Sequence, residues 1–349
     1  MSTLKHLVTL ANIGTSHSTR YHEWLFFERK DDNIFVPASV VYILKCLMPF
    51  LTPNEQLDVD YISKIIKHRY PLYKNGNGRI SYNFWRTNHP NSHFPNGKFL
   101  NKFKFFRLPD DIDTTAMVLL SGGYVHQDVT ELHNILPKHA NGVRLKVKTS
   151  LPQFENLSCY STWLGERMPI ELDCCVISNF LLLVFESQVA LSVHDRDSVA
   201  FLEGVIESGN YFTHPSVVAP QYPRTAIILY HLARLVSKFP DNFNSQLVEK
   251  LKTDVNASYL NSFSLFEKMI LQTSLMKLGL NSHFETIIVP VNEIESYWWF
   301  TAGFLSGYSN KFAKNVAHLP LFHNRFVTSF LNYALLFENQ TLLARANEK

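Results

Sequence analysis

The run Asp173-Cys174-Cys175-Val176-Ile177-Ser178-Asn179-Phe180-Leu181-Leu182-Leu183-Val184-Phe185 sets the reading of this chain. It follows Pro169, opens on an acid and is apolar on every face, which predicts a helix buried all round rather than one with a wet side. Ser178, Asn179, Glu186 and Gln188 lie within Cys174 to Val193. Each is costly in lipid, so the stretch reads as an interior helix and not as a membrane span. Working outward, a turn or Pro followed by a helix-length apolar segment recurs at Val36 to Leu51, Asp113 to Ser121, Pro223 to Phe239, Leu265 to Leu278, Tyr297 to Leu305 and Arg325 to Phe337. More amphipathic segments lie between several of them: Glu55 to Lys67 (with Leu57, Tyr61, Ile65 and Ile66 among charges), Ser198 to Ile206 and Asn244 to Leu251. Alternating buried and half-wet helices is what nested helical hairpins produce, an inner ring about a cavity and an outer ring facing water. The expected fold is mainly α, a barrel of nested helical hairpins with a few short strands in loops.

Composition narrows the class. Of 349 residues, 46% are apolar and 18% charged, a globular balance that excludes disordered, collagen-like and coiled-coil chains. A net charge of +3 from 33 basic and 30 acidic residues is too small a surplus to imply nucleic-acid binding. With 13 Gly, Gly-rich phosphate loops are disfavoured, and no Gly-x-Ser-x-Gly, Walker or dinucleotide fingerprint is present. Cys46, Cys159, Cys174 and Cys175 are too few for a disulfide framework and read as reduced thiols of a cytoplasmic protein. Met1 to Gly14 lacks the apolar core of a secretory signal. One domain is expected over 1–349, with 1–34 as an N-terminal extension and loop insertions near 73–98 and 137–152. Asn75-Gly76-Asn77-Gly78 would close a short hairpin, and alternation of Val143, Leu145 and Val147 predicts a short strand over Gly142 to Lys148.

Chemistry gathers in Phe105-Phe106-Arg107-Leu108-Pro109-Asp110-Asp111-Ile112-Asp113-Thr114-Thr115-Ala116-Met117. Pro109 breaks what precedes, and Thr114 onward reads as a helix ended by Gly122-Gly123. Three carboxylates therefore crowd one helix start, where a single Asp suffices for an N-cap. Asp110 and Asp113 share a face, and mutual repulsion disfavours ionising both. Capping and a functional acid or metal site are the two readings.

Asp111-Ile112-Asp113-Thr114-Thr115-Ala116 resembles the D-x-D-D-T-A segment of class II terpene cyclases, with Thr114 where that family has its third Asp. The resemblance implies an α/α toroid, and it assigns Asp113 as the general acid that protonates an alkene or epoxide, with Asp111 as the assisting carboxylate; Asp110, next to the matched segment, is a further candidate catalytic acid from the cluster itself. It implies a hydrophobic, polyprenyl-type substrate and no cofactor. Such an acid must be neutral before reaction in a dry cavity, and the carbocation it creates must meet π faces. Tyr82, Phe84, Trp85, Phe105, Phe106, Trp298 and Trp299 are candidates to line that cavity. The expected activity is an isoprenoid cyclase-like isomerase or lyase.

The same acids admit a metal reading. Asp110-Asp111-Ile112-Asp113 also resembles the aspartate-rich motif of class I terpene synthases, and Asp241, Ser245 and Glu249 have the i, i+4, i+8 spacing of their second metal motif. In that alternative the two motifs hold Mg²⁺ against a prenyl diphosphate. Asp173, Cys175 and His231 resemble the zinc set of protein prenyltransferase β subunits, although a buried Cys pair behind a capping Asp is the plainer reading. Tyr222-Pro223-Arg224-Thr225 starts the next apolar run, which places Tyr222 and Arg224 at the same end as Asp113 and Asp173 if the helices run parallel. Arg224 there would be an ion pair or an anion clamp. Asn179, polar within an apolar run, faces either a neighbouring helix end or the cavity. His89 and His93 lie in the long loop before the acid motif, and read as ordinary exposed loop histidines or as part of a lid. Lys98 to Arg107 mixes bases with Phe99, Phe103, Phe105 and Phe106, a solvated edge or a peripheral membrane contact. A non-catalytic toroid binding a hydrophobic ligand or a protein is the third expectation.

Overall fold

The computed structural model describes residues 2–12, 14, 18–24, 27–88, 107–166, 168–280, 284–303 and 319–347. The chain begins with helix α1 (Thr3–Asn12) and strands β1 (Ser18–His22) and β2 (Phe27–Asp31). It continues through α2 (Phe35–Leu47), α3 (Pro53–Lys67), α4 (Ile112–Gly122), α5 (His126–Ile135), α6 (Cys174–Ser187) and α7 (Val193–Ser208). Then come α8 (Thr225–Lys238), α9 (Ser245–Asn261), α10 (Leu265–Lys277), β3 (Trp298–Gly303), β4 (His323–Val327) and α11 (Ser329–Asn347). The protein is mainly helical with one antiparallel sheet, ordered β2-β1-β4-β3. Among the described residues no helix is long and apolar enough to cross a membrane.

Hydrophobic pattern decides the layers. α2, α4, α6 and α8 are buried along nearly their whole length. A segment apolar all round needs neighbours on several sides, whereas an apolar stripe needs one. Accordingly α2 packs on α4, α4 on α6, α6 on α8, α8 on α10, α10 on α11, and α11 returns to α2. The more polar α3 lies against α2, α5 and α7 against α6, and α9 against α10 and α8, while α1 bridges α3 and α11.

Hydrogen bonds and ion pairs tie both ends of several of these helices to their surroundings. At their starts, Ile34 N–H donates to the Phe84 carbonyl, Ile112 N–H to that of Thr162, and Thr301 N–H on β3 to that of Gln221. These ties bring the sheet and its loops over one pole. At their ends, Lys45 donates to the Ser121 carbonyl, Lys238 to Glu186 and Lys277 to Glu338. Cations at helix C-termini complement the dipole.

Three expectations are corrected. Within Tyr297 to Leu305, Trp298–Gly303 is strand β3, because Trp298 and then Phe300 to Gly303 pair with β4, the register shifting at Trp299, and the run suits a pleated, half-buried surface. Arg325 to Phe337 divides into β4 and α11. Gly142 to Lys148 is a turn: Asn141 accepts from Val147 N–H at 2.7 Å, and Gly142 N–H reaches the Leu145 carbonyl, so the segment folds on itself. The expected hairpin does close, with Lys74 bridged to Tyr82. Residues 1–34, expected as an extension, supply α1 and half the sheet.

Gly204 marks a close approach between α7 and the turn that carries Phe154. A Cβ there would lie 2.7 Å from the Phe154 ring, which is buried and packed edge-on against Phe201. Gly204→Ala, ordinarily favourable inside a helix, is therefore expected to destabilise by about 1–3 kcal/mol in a denaturant titration.

Candidate active site

The motif at the start of α4 is held from both sides. Leu164 N–H donates to the Asp110 carbonyl at 2.9 Å, and Asp111 N–H reaches toward the Tyr82 carbonyl. Within this frame the three aspartates take three different roles. Asp110 faces the hairpin: Asn75 Nδ2 and Ser81 Oγ donate to it at 2.5 and 2.6 Å, and Asn83 Nδ2 at 3.3 Å. Asp110→Ala is expected to cost about 1–3 kcal/mol by orphaning those donors, and to speed hydrogen exchange at Asn75 and Asn83 N–H.

Asp111 is the N-cap. Its Oδ1 accepts from Thr114 N–H at 2.6 Å, while Oδ2 is buried with no hydrogen-bond partner among the described residues. Burial and the neighbouring Asp113 raise its pKa well above the ordinary carboxylate value.

Asp113 points inward and is 5% exposed. Tyr222 donates its hydroxyl hydrogen to Oδ2, and Asn179 Nδ2 donates to Oδ1 at 2.6 Å. Burial pushes the carboxyl up to about 6, against the pull of Tyr222, Asn179 and Arg234. About half of it is thus neutral at pH 6, and about a tenth at pH 7, and able to give up a proton.

Above Asp113 the sheet closes the pole with aromatic rings. Tyr222 lies 6.2 Å from Phe35 and 6.1 Å from Phe300, and Phe300 stacks on Phe326 at 4.6 Å with Phe84 at 5.7 Å. Below it, Asn179 leads to Arg234 and then to two parallel units. Tyr42 and Lys238 share Glu186, and Tyr230 and Lys277 share Glu338.

Asp173 caps α6, accepting from Cys175 and Val176 N–H at 2.9 and 3.1 Å, and its other oxygen takes Gln221 N–H at 2.8 Å. Gln221 Nε2 also binds Glu171 at 2.9 Å, and burial pushes Glu171 up to about 7. Asp173 therefore anchors the turn that carries Tyr222.

Several expected lining residues sit elsewhere. Arg224 pairs with Glu267 at 2.9 Å and stacks on Tyr297 and Trp298, so it clamps its own rim rather than the acids. Trp298 is half-exposed between Arg224 and Arg325, while its neighbour Trp299 is buried and packs on His231. Trp85 donates its ring N–H to Asp31 at 3.0 Å. Tyr82 is half-buried, its backbone N–H tied to Thr115 Oγ1. Phe105, Phe106, His89, His93 and most of Lys98 to Arg107 lie outside the described residues.

The two metal motifs are not brought together. Asp241, Ser245 and Glu249 are exposed and lie beyond the far end of α8, roughly 20 Å along that helix from the acid pole. Glu249 pairs with Lys252 instead, and Asn244 caps α9. Asp173, Cys175 and His231 form no zinc set: His231 Nδ1 is bound to the Ile227 carbonyl, and burial and Asp173 raise the Cys175 thiol well above its usual value. Among the described residues no group of His, Cys, Asp or Glu is arranged to hold a metal.

Sequence reasoning missed Arg234, Glu171 and Glu338. Arg234 and Glu338 each stand within a largely apolar helical run, which is the signal that would have found them. Comparison with known proteins gives no match to a family model, to a curated protein or to a solved structure.

Proposed function

We propose that the chain is an isoprenoid cyclase-like enzyme, an isomerase or lyase that starts reaction by protonating an alkene of a hydrophobic, polyprenyl-type substrate. In this reading the closed succession of α2, α4, α6, α8, α10 and α11 is an α/α toroid and its sheet-covered pole is the active end. The observation that carries it is Asp113: a buried carboxyl with a proton available near pH 6, beside a wall of aromatic rings. In the step, the Asp113 O–H bond breaks as the alkene π pair takes the proton. The carbocation left on the substrate meets ring faces of Phe35, Tyr222 and Phe300, worth about 0.5–2 kcal/mol each. Tyr222 and Asn179 then hold the carboxylate.

A second reading is favoured by one observation. Both Asp113 oxygens already accept hydrogen bonds, so the acid also serves as a structural knot, and a non-catalytic toroid for a hydrophobic ligand follows. Product analysis separates the two: polyprenyl hydrocarbons and diphosphates of several lengths are incubated with the native protein, with and without Mg²⁺. Product without Mg²⁺ supports the proposal, and no product from any substrate supports the binding module.

A further inference from the structure

We propose that Arg234 is a positioning residue for Asp113: acting through Asn179, it fixes the removable proton on Oδ2 and balances the charge left when that proton departs. The inference rests on reading Asp113 as the proton donor. Arg234 projects from α8 into the space between the inner helices, and its guanidinium donates to Asn179 Oδ1. A guanidinium has donors only and keeps its charge, so the Asn179 carbonyl must face it. The amide nitrogen is thereby turned to Asp113 Oδ1, 2.6 Å away, and Oδ1 is always an acceptor. The proton is left to Oδ2, the oxygen that meets Tyr222 beneath the rings of Phe35 and Phe300. Proton exchange is confined to that side.

Charge balance points the same way. Glu186 and Glu338 each have a lysine and a tyrosine already, and Arg234 lies over the faces of Tyr42 and Tyr230 at 5.8 and 5.5 Å with no ion pair among the described residues. Burial works against its charge, while Tyr230, Tyr42 and Glu338 hold its pKa above the ordinary value. The titratable groups that face Asp113 are Asp111 on its own helix, Asp173 and Cys175 on α6, and Tyr222 before α8. Burial favours the neutral form of each. Asp113 is the anion that Arg234 can balance, and an unbalanced buried cation is costly.

The test is a titration of aspartate side-chain carboxyl carbons by NMR in the full chain, without substrate, so that it stands apart from any product assay. Arg234→Met and Asn179→Ala are each expected to raise the proton affinity of Asp113 about tenfold, and Arg234→Lys to restore most of the native value. Lys45→Met, which removes a charge from the far pole with no bridge to Asp113, is expected to leave it unchanged. If Arg234→Met does not fold, Arg234→Gln, which removes the charge but keeps a donor beside Asn179, takes its place. A folded variant that titrates as the native protein does, or an equal rise in Lys45→Met, overturns the proposal.

Discussion

Asp113→Asn is expected to lower product formation from a polyprenyl substrate by about 10²–10⁴-fold, the range that a positioned general acid contributes. The loss should fall on kcat and leave KM nearly unchanged, because an amide of the same shape fills the same space but has no proton acidic enough to give. The surroundings tolerate the change. The new amide oxygen can accept from Asn179 Nδ2, and its NH₂ can face the Tyr222 oxygen once that hydroxyl turns. Asp111→Asn is expected to cost less, since Asn is also a good N-cap and Asp111 Oδ1 is spent on Thr114 N–H. Turnover by the Asp113→Asn protein within tenfold of native would remove Asp113 from the chemistry.

Stability should carry the mark of the same buried acids. Asp113 is raised to about 6 and Glu171 to about 7, both chiefly by burial, so the folded chain keeps protons that the unfolded chain releases. That contribution is fully present below the unfolded values of 3.8 and 4.5, and it is lost as pH rises through 6 and 7. Each group is worth about 3 kcal/mol over this window. Asp111 and Asp173, raised in the same direction, add to the trend. His231, lowered by burial and by Arg234, opposes it, because below about 6.5 the unfolded chain takes up a proton that the buried imidazole does not. A difference curve removes that term. Native stability minus that of Asp113→Asn, from urea titrations at pH 4 and pH 7.5, is expected to fall by about 3 kcal/mol. Glu171→Gln should give a similar drop, and a flat difference curve would mean that neither acid is shifted.

Much of the fold was legible because buried helices announce themselves. Val36 to Leu51, Asp173 to Phe185 and Pro223 to Phe239 are apolar on all faces, and each carries a helix buried along nearly its whole length. Asp111 and Asp173 likewise could be placed at helix starts from Pro109, Pro169 and the apolar runs that follow. Tyr297 to Leu305 failed because a short aromatic run has no period of its own, and its pairing with β4 chose the strand. Which of Trp298 and Trp299 is buried depends on the irregularity in the pairing with β4 at that point, which the aromatic run does not announce. Charge partners were the least legible. Asn179 and Asp113 lie 66 residues apart, and Tyr222 and Asp113 109 apart, so they meet only when the inner helices come together. Arg224 shows the converse. Its position at the acid pole follows from its helix, but Glu267 on the next helix outcompetes the aspartates for it.

The central claim is that Asp113 holds an available proton inside the helical core. Infrared difference spectroscopy, native protein minus Asp113→Asn across a pH series, reads it directly. The account predicts a protonated carboxyl band, absent from the variant, that titrates with a midpoint of about 6. A carboxylate signal already complete at pH 5 would contradict it.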